Sequence, residues 1–191
     1  MKPLVLFLLA ATGPAAVAAP VPKDFKEKRP DYCPMAMGDK REYAHPDNPE
    51  VVTQTREITA VEMKGGAKHC TQAISTGQVT VMTVDKTGVY VASSGGAVYD
   101  PPYKAVGPDI KDGDKWECGG PNQMSRSVGK AEKVVTPAGT FTAYPISITY
   151  ANIQGVTQVL WYADGVGMVR YDSGGTTSLV LKTFTPGKET K

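Results

Sequence analysis

Short runs in which apolar and polar residues alternate recur along most of the chain, and glycine bounds most of them. In one run, Tyr144, Ile146 and Ile148 fall on one face of an extended strand, and Ser147 and Thr149 fall on the other. Beyond the N-terminal region, no run of ten or more residues has the apolar spacing of an amphipathic helix. The pattern therefore predicts an all-β protein with little helix, built as an antiparallel curved sheet, an open half-barrel or a sandwich of about eight to eleven strands.

Two glycine-containing segments recur in the second half of the chain in the same order. Residues 38–43 (GDKREY) are echoed by residues 113–118 (GDKWEC), and residues 88–96 are echoed by residues 167–175. Chance similarity between glycine turns is one explanation, and a duplication is the other. A duplicated chain would form two meanders, neither of which could bury its apolar face alone. The two halves would then share one core, so we expect a single β-rich domain.

The N-terminal region has the organisation of a secretory signal peptide. Lys2 supplies a positive charge, residues 4–11 form an unbroken apolar run, and small residues precede the expected cleavage site after Ala18. The apolar run is too short to span a bilayer as a helix. We therefore expect a secreted or periplasmic protein without stable membrane insertion. The expected segments are the signal peptide (1–18), an extended N-terminal arm (19–31), the β-rich domain (32–187) and a C-terminal tail (188–191).

Composition and charge narrow the possible partners. The chain carries 21 Lys and Arg against 19 Asp and Glu, a formal net charge of +2. Acidic residues interrupt the densest basic stretch, residues 23–29. A surface with balanced charge does not attract nucleic acid or anionic membranes strongly, so we expect neither as a partner.

Three patterned segments carry a resemblance to a known kind of domain. They are residues 32–38 (YCPMAMG), residues 133–141 (KVVTPAGTF) and residues 161–170 (WYADGVGMVR). Together they resemble a family of secreted bacterial β-rich domains of unknown function, which carry T-P-A-G-T-F and W-Y-A-x-G-V-G-x-V-R motifs. The resemblance covers essentially the whole mature chain and implies a fold but no activity. Members of that family have Trp at the position of Arg41, so one expected core anchor is altered here.

Cysteine usage predicts a disulfide. Cys33, Cys70 and Cys118 follow the signal peptide, and three cysteines in an oxidising compartment indicate one disulfide and one free thiol. The sequence allows all three pairings. We expect Cys70–Cys118, because both residues lie in polar strand segments, whereas the resemblance implies a buried aromatic at the position of Cys33, which suits a buried thiol.

The strand pair near the C-terminus holds the candidate ligand contacts. Trp161 and Tyr162 point to opposite faces of one strand, and Arg170 follows on the next. These three residues could line a ligand groove, with Arg170 as the partner of a carboxylate or phosphate. The alternative is a packing role, which aromatic residues at strand ends usually have. For Trp161 we expect the packing role.

Patterns for catalysis and metal binding are absent from the sequence. His45 and His69 are the two histidines, and His69 adjoins Cys70, so these two side chains face opposite sides of a strand and cannot easily chelate one ion. The chain has no G-x-S-x-G nucleophile element. The sequence therefore predicts no catalytic residue, no metal site and no cofactor.

These observations favour a non-catalytic domain of the bacterial envelope or the extracellular space. We expect it to bind a hydrophobic or polymeric envelope ligand in the concave face of its sheet, or to act as a structural module. The alternative is a hydrolase that acts on an extracellular polymer. Such an enzyme needs two facing carboxylates, and a sequence does not reveal which carboxylates face each other.

Overall fold

Strand is the only regular secondary structure in the part of the chain that the structure describes. The computed structural model describes residues 31–119, 123–153 and 155–188, and none of them forms a helix that could span a membrane. The expected all-β class is confirmed. The expected signal peptide and most of the N-terminal arm lie outside the described residues. The strands are β1 (Lys40–His45), β2 (Asn48–Lys64), β3 (Ala67–Ile74), β4 (Val79–Asp85), β5 (Gly88–Ser94), β6 (Ala97–Val106), β7 (Lys115–Gly119), β8 (Met124–Val128), β9 (Glu132–Thr136), β10 (Gly139–Tyr150), β11 (Thr157–Ala163), β12 (Gly167–Ser173) and β13 (Thr176–Thr185).

All thirteen strands belong to one antiparallel sheet. Its order is β6-β5-β4-β3-β2-β1-β13-β12-β11-β10-β8-β7, and β9 pairs with the first part of β10. The sheet curls until its edge strands β6 and β7 meet. At this seam, Trp116 Nε1 donates to the Lys104 carbonyl at 3.0 Å, and Arg126 Nη1 donates to the Ala105 carbonyl at 2.8 Å. Side chains therefore close a nearly complete barrel whose other strands are joined by backbone ladders.

The sequence echo corresponds to a repeated structure. Strands β1–β6 form one six-stranded meander, and β7, β8 and β10–β13 form a second that runs the same way round the barrel. The Gly38 N–H donates to the Ile58 carbonyl at 2.9 Å, and the Gly113 N–H donates to the Val128 carbonyl at 3.0 Å. Each unit therefore has six strands and begins with the same hydrogen-bonded corner, and β9 is an addition to the second unit.

The acidic residue after each of these glycines folds the preceding chain in the same way. The Asp39 carboxylate accepts a hydrogen bond from the Ala36 N–H at 2.8 Å, and the Asp114 carboxylate accepts one from the Lys111 N–H at 2.8 Å. The double-glycine turns that follow β5 and β12 both have positive φ at each glycine, as a tight two-residue hairpin requires. Equal geometry at both echoed places favours duplication over chance similarity.

Arg41 takes the position that the partly buried Trp116 occupies in the second unit. The Arg41 side chain is 4% exposed, and its Nη2 lies 3.8 Å from the Asp39 carboxylate. It donates to the Val166 carbonyl at 2.6 Å and to the Pro34 carbonyl at 2.9 Å. A buried charge is tolerated when it is paired and hydrogen-bonded. The altered core anchor is therefore a buried ion pair that ties the N-terminal segment to the barrel.

The structure corrects the expected Cys70–Cys118 disulfide, because all three cysteines are free thiols. Cys70 lies on β3, where its Sγ is 3.9 Å from the Met35 carbonyl oxygen, and Cys118 lies on β7, where its Sγ is 3.5 Å from the Lys104 carbonyl oxygen. Strands β4, β5 and β6 separate β3 from the seam. Burial raises the pKa of all three thiols, and that of Cys33 reaches about 12. The sequence indicated two polar strands, but it did not show how far apart the two strands lie around the barrel.

Candidate ligand-binding cavity

The barrel surrounds an interior cavity of about 550 Å³ that opens to solvent. Successive residues of a strand point to opposite faces of the sheet, so alternate residues of the strands face this space. Both repeated units contribute to the wall, and much of it is apolar. The apolar lining residues include Ile74, Met82, Val89, Val91, Ile148 and Leu160.

Hydroxyl, amide and guanidinium groups complete the described lining. Thr80 Oγ1 and Ser94 Oγ lie 3.0 Å apart, and the Tyr150 hydroxyl donates to Gln158 Oε1 at 2.9 Å, so these polar groups satisfy one another. Among the described lining residues there is no Asp, Glu, Lys or His. The charged groups of this lining are all positive. They are Arg41, Arg56 and Arg126.

Arg126 is a buried cation on β8. Its side chain is 6% exposed, and its Nη1 donates to the Ala105 carbonyl across the seam. Its guanidinium carbon lies 5.7 Å from the centre of the Tyr103 ring, within the range of a cation–π contact. The buried Nε has no hydrogen-bond partner among the described residues. The guanidinium also hydrogen-bonds the Cys118 thiol, so Nε is the Arg126 donor for which the described residues supply no partner.

Arg56 is the corresponding cation on β2. Its Nε donates to Gln54 Oε1 at 2.8 Å, and its Nη1 lies 3.9 Å from Met168 Sδ. Its guanidinium carbon lies 5.4 Å from the centre of the Tyr43 ring. In the described parts of the chain, no carboxylate comes within 4 Å of Arg56 or Arg126. Arg41 differs from both because Asp39 neutralises it.

Strand register shows that Arg56 and Arg126 are equivalent positions of the repeat. Arg56 pairs with Arg41 in the β1·β2 ladder, and Arg126 pairs with Trp116 in the β7·β8 ladder. Arg41 and Trp116 are themselves matched by the sequence echo. Each unit therefore presents one arginine without a carboxylate partner at the same place in its second strand.

Tyrosine hydroxyls share the cavity with these arginines. Burial raises the pKa of Tyr162 to about 12, although Arg126 and Arg56 both act on its hydroxyl in the opposite direction. Burial also raises the pKa of Tyr103 and Tyr150, against the lowering effect of Arg126. All three phenols therefore stay protonated at neutral pH. The Tyr103 and Tyr162 hydroxyls can donate to a ligand, whereas the Tyr150 hydroxyl already donates to Gln158 Oε1.

Of the three residues expected to contact ligand, Tyr162 lines the cavity, and Trp161 and Arg170 face away from it. Trp161 is 7% exposed, and its Nε1 donates to the Glu132 carboxylate at 2.5 Å. The Arg170 guanidinium stacks 4.4 Å from the centre of the Trp161 indole and binds both carboxylate oxygens of Asp172. The wall of the barrel thus separates Tyr162 from the other two. Ligand contact stays a prediction for all three residues, and the geometry supports it for Tyr162.

Arg56 and Arg126 were missed by the sequence reasoning. Arg56 lies two residues before the buried Ile58, and Arg126 lies two residues before the buried Val128. Each arginine is therefore on the same strand face as a buried apolar residue. Aligning the two repeats through these strands as well as through their glycines would have shown that the two arginines occupy equivalent positions. That alignment was the available signal.

The described residues offer no assembled metal site, and those that line the cavity include no pair of carboxylates. They contain no group of three or more His, Cys, Asp and Glu side chains placed to hold an ion. His69 Nδ1 lies 3.3 Å from Thr83 Oγ1, and His45 Nδ1 lies 3.6 Å from the Asp47 carboxylate in an exposed turn. The facing carboxylates that the hydrolase alternative requires are not among the described residues that line the cavity.

Two solved structures are similar to this chain at low sequence identity. One is a proposed lipoprotein from Parabacteroides distasonis ATCC 8503, with a TM-score of 0.47, 14% identity, and coverage of 83% of this chain and 100% of that chain. The other is a proposed exported protein with a YmcC-like fold from Bacteroides fragilis NCTC 9343, with a TM-score of 0.46, 15% identity, and coverage of 80% of this chain and 98% of that chain. No curated protein matches the sequence.

A family model also matches part of the chain. The matched segment, residues 110–177, contains the turn in residues 133–141 and the strand pair in residues 161–170. These are two of the segments that carry the resemblance to β-rich domains of unknown function. Over residues 110–177, which include β7 to β12, the chain is similar to the DUF3108-like family.

Proposed function

We propose that the mature chain is an exported, non-catalytic binding protein that holds a hydrophobic ligand inside its barrel. The observation that carries this proposal is the interior cavity of about 550 Å³, whose wall combines apolar side chains with polar and cationic ones. Pockets that bind small molecules usually have volumes of about 300–1,000 Å³ and apolar walls with a few placed polar groups. The proposed export rests on the leader sequence in residues 1–18, and the proposed mature domain spans residues 32–187.

The size of the cavity argues against a packing defect. At about 24 cal/mol per Å³, leaving 550 Å³ empty in an apolar core would cost about 13 kcal/mol. Whole domains are stable by only about 5–15 kcal/mol. The space is therefore not an empty void. It opens to solvent and holds water or a ligand, and the apolar part of its wall favours a ligand with an apolar part.

Groups with the properties of a hydrolytic centre are missing from the described lining. The Cys33 thiol faces the cavity, but burial raises its pKa to about 12, so it stays protonated and is a poor nucleophile. The lining cations have no carboxylate beside them to act as a general base, apart from the ion pair of Arg41. These features support binding over hydrolysis of an extracellular polymer.

A copurification experiment tests the proposal directly. We expect native mass spectrometry of the protein purified from its own host without detergent to show an added mass that denaturation releases. After delipidation, we expect the protein to bind an apolar fluorescent probe such as 1-N-phenylnaphthylamine. Failure to bind that probe, together with the absence of any copurified molecule, would contradict the proposal.

A matched pair of variants locates the binding inside the barrel. Val91 lines the cavity and is 5% exposed, whereas Val135 lies outside and is 76% exposed. Val91→Phe fills part of the cavity and should weaken probe binding about tenfold, and Val135→Phe should leave it unchanged. If both substitutions weaken binding equally, the probe binds to the outer surface.

A further inference from the structure

We infer that the cavity takes an anionic amphiphile, whose carboxylate or phosphate head group binds Arg126 and Arg56 and whose apolar chain lies against the apolar wall. This inference rests on the proposed function, because it names the chemical class of the ligand in the same cavity. Four features of the described residues support it: uncompensated charge, an unused donor, the placement of both arginines in one cavity and a mixed lining.

The charge of the described lining is unbalanced. Arg56 and Arg126 have no carboxylate within 4 Å in the described part of the chain, and no acidic residue there lines the cavity. Arg126 is buried and Arg56 is partly buried, and a buried cation without an opposite charge destabilises a protein, because its hydration is lost and nothing replaces it. Arg41 shows how this chain neutralises a buried arginine when the role is structural, since Asp39 accompanies it. An anionic head group would supply the missing charge.

The unused donor of Arg126 points to a polar ligand group. Its Nε is buried and has no partner among the described residues, while Nη1 of the same guanidinium is held by the Ala105 carbonyl. Buried N–H groups in native proteins are nearly always hydrogen-bonded, so an orphan in a cavity wall indicates an absent partner. A guanidinium binds carboxylate and phosphate oxygens with short, charge-assisted hydrogen bonds.

The two arginines act on a common region of the cavity. Arg56 on β2 and Arg126 on β8 line the same cavity as Tyr162 and both act to lower the pKa of its hydroxyl, although they belong to different repeated units. Tyr162 and Tyr103 keep their protons because burial raises the pKa of each, so their hydroxyls can donate to a ligand in this cavity. A negative head group would therefore meet two guanidiniums and neutral hydroxyl donors.

The remaining wall suits the rest of an amphiphile. Met82, Val89 and Val91 line it from the first unit, and Ile148 and Leu160 line it from the second. A free inorganic anion would leave these apolar side chains without contacts. A purely apolar molecule would leave both arginines uncompensated. A ligand with one anionic end satisfies both parts of the wall.

Arg126 also has a structural contact, which the experiment must separate from ligand binding. Its hydrogen bond to the Ala105 carbonyl helps to close the seam between β6 and the second unit. A purely structural arginine would affect stability but would not distinguish a charged head group from a neutral one. Head-group selectivity is therefore the decisive measurement.

The test measures binding of dodecanoate, dodecyl phosphate and dodecan-1-ol to the delipidated mature protein by isothermal titration calorimetry. Acetate and inorganic phosphate serve as head groups without a chain. We expect both anionic dodecyl compounds to bind about 10- to 100-fold more tightly than dodecan-1-ol, the usual gain from hydrogen bonds between charged groups. Comparison of the first two compounds shows whether carboxylate or phosphate is preferred. The two chain-free anions should bind at least tenfold more weakly than the dodecyl compounds.

Variants assign the selectivity to the arginines. Arg126→Gln and Arg56→Gln should each weaken dodecanoate binding about tenfold or more and leave dodecan-1-ol binding unchanged. Lys130→Gln removes an equal charge from an exposed position near the end of β8 and should change neither affinity. If Arg126→Gln does not fold, Arg56→Gln and the head-group selectivity of the unaltered protein decide the question.

Each of the other outcomes contradicts either the anionic head group or the proposed function. Equal binding of dodecanoate and dodecan-1-ol, or variants that weaken both equally, would refute the anionic head group while leaving the proposed function intact. Chain-free anions that bind as tightly as dodecanoate would show a simple anion site and also refute the inference. If no dodecyl compound and no apolar probe binds, the proposed function itself fails.

Discussion

Trp161 offers the sharpest test of which side of the barrel wall is structural. Its indole is 7% exposed, lies under the Arg170 guanidinium at 4.4 Å and donates to the Glu132 carboxylate. The neighbouring residues in β11, Leu160 and Tyr162, face the cavity instead. Truncating Trp161 should therefore damage packing on the outer side and leave the cavity wall in place.

The expected loss can be estimated from burial. A large aromatic side chain buries about 150–250 Å², and truncation of a buried Trp to Ala costs about 3–5 kcal/mol. The cation–π contact with Arg170 contributes within that range, because its guanidinium is partly exposed and such contacts are worth about 0.5–1 kcal/mol near the surface. Trp161→Phe keeps most of the ring and loses the N–H donor, so it should cost about 1 kcal/mol.

Urea unfolding of both variants and of the unaltered protein, followed by circular dichroism, measures these losses. Trp116 remains as a fluorescence probe in the variants, since the chain has two tryptophans. The folded fraction of Trp161→Ala should bind the apolar probe with unchanged affinity. A loss of stability below about 1 kcal/mol for Trp161→Ala would refute its burial. A folded variant with tenfold weaker binding would move Trp161 into the ligand site.

Further predictions concern backbone approach, the buried ion pair, alkaline pH and the thiols. Gly187→Ala should lower the melting temperature markedly in a thermal melt, because a Cβ there would overlap the Met37 carbonyl oxygen. Asp39→Asn should destabilise the protein by about 3–5 kcal/mol in urea unfolding, because it leaves the Arg41 guanidinium buried without an opposite charge. The pKa of Tyr162 is raised from 10.0 to about 12 in the folded protein, so its contribution to stability is complete below pH 10 and is lost as the pH rises from 10 to 12. In Tyr162→Phe, the free energy of unfolding should therefore depend less on pH in that window. Mass spectrometry after thiol alkylation under denaturing, non-reducing conditions should find all three cysteines modified, and two unmodified cysteines would show a disulfide.

The sequence predicted the local structure because strands and turns depend on residues close together in the chain. Period-two alternation in Tyr144, Ile146 and Ile148 corresponds to a real strand, β10, in which Ile146 and Ile148 are buried. The echo of Gly38 in Gly113 corresponds to two equal hydrogen-bonded corners. Such features need only the steric preferences of a few neighbouring residues, and these are written directly in the sequence.

Some single-residue expectations were met for the same reason. The expected packing role of Trp161 is consistent with its place opposite Tyr162, because adjacent strand residues must face opposite sides. Alternation alone, however, does not say which side is the inside of a barrel. The curl of the whole sheet determines which side of each strand faces the inside of the barrel.

Only the tertiary structure decided what depends on residues far apart in the chain. Closure of the barrel brings Trp116 and Arg126 against β6, and it keeps Cys70 on β3 away from Cys118 on β7. Closure also places Arg56 and Arg126, from different repeats, in one cavity. The sequence by itself determined an all-β chain of glycine-bounded strands with a repeated corner. The cavity, its unpaired positive charge and the free thiols follow from how the two units curl against each other, which no short stretch of sequence encodes.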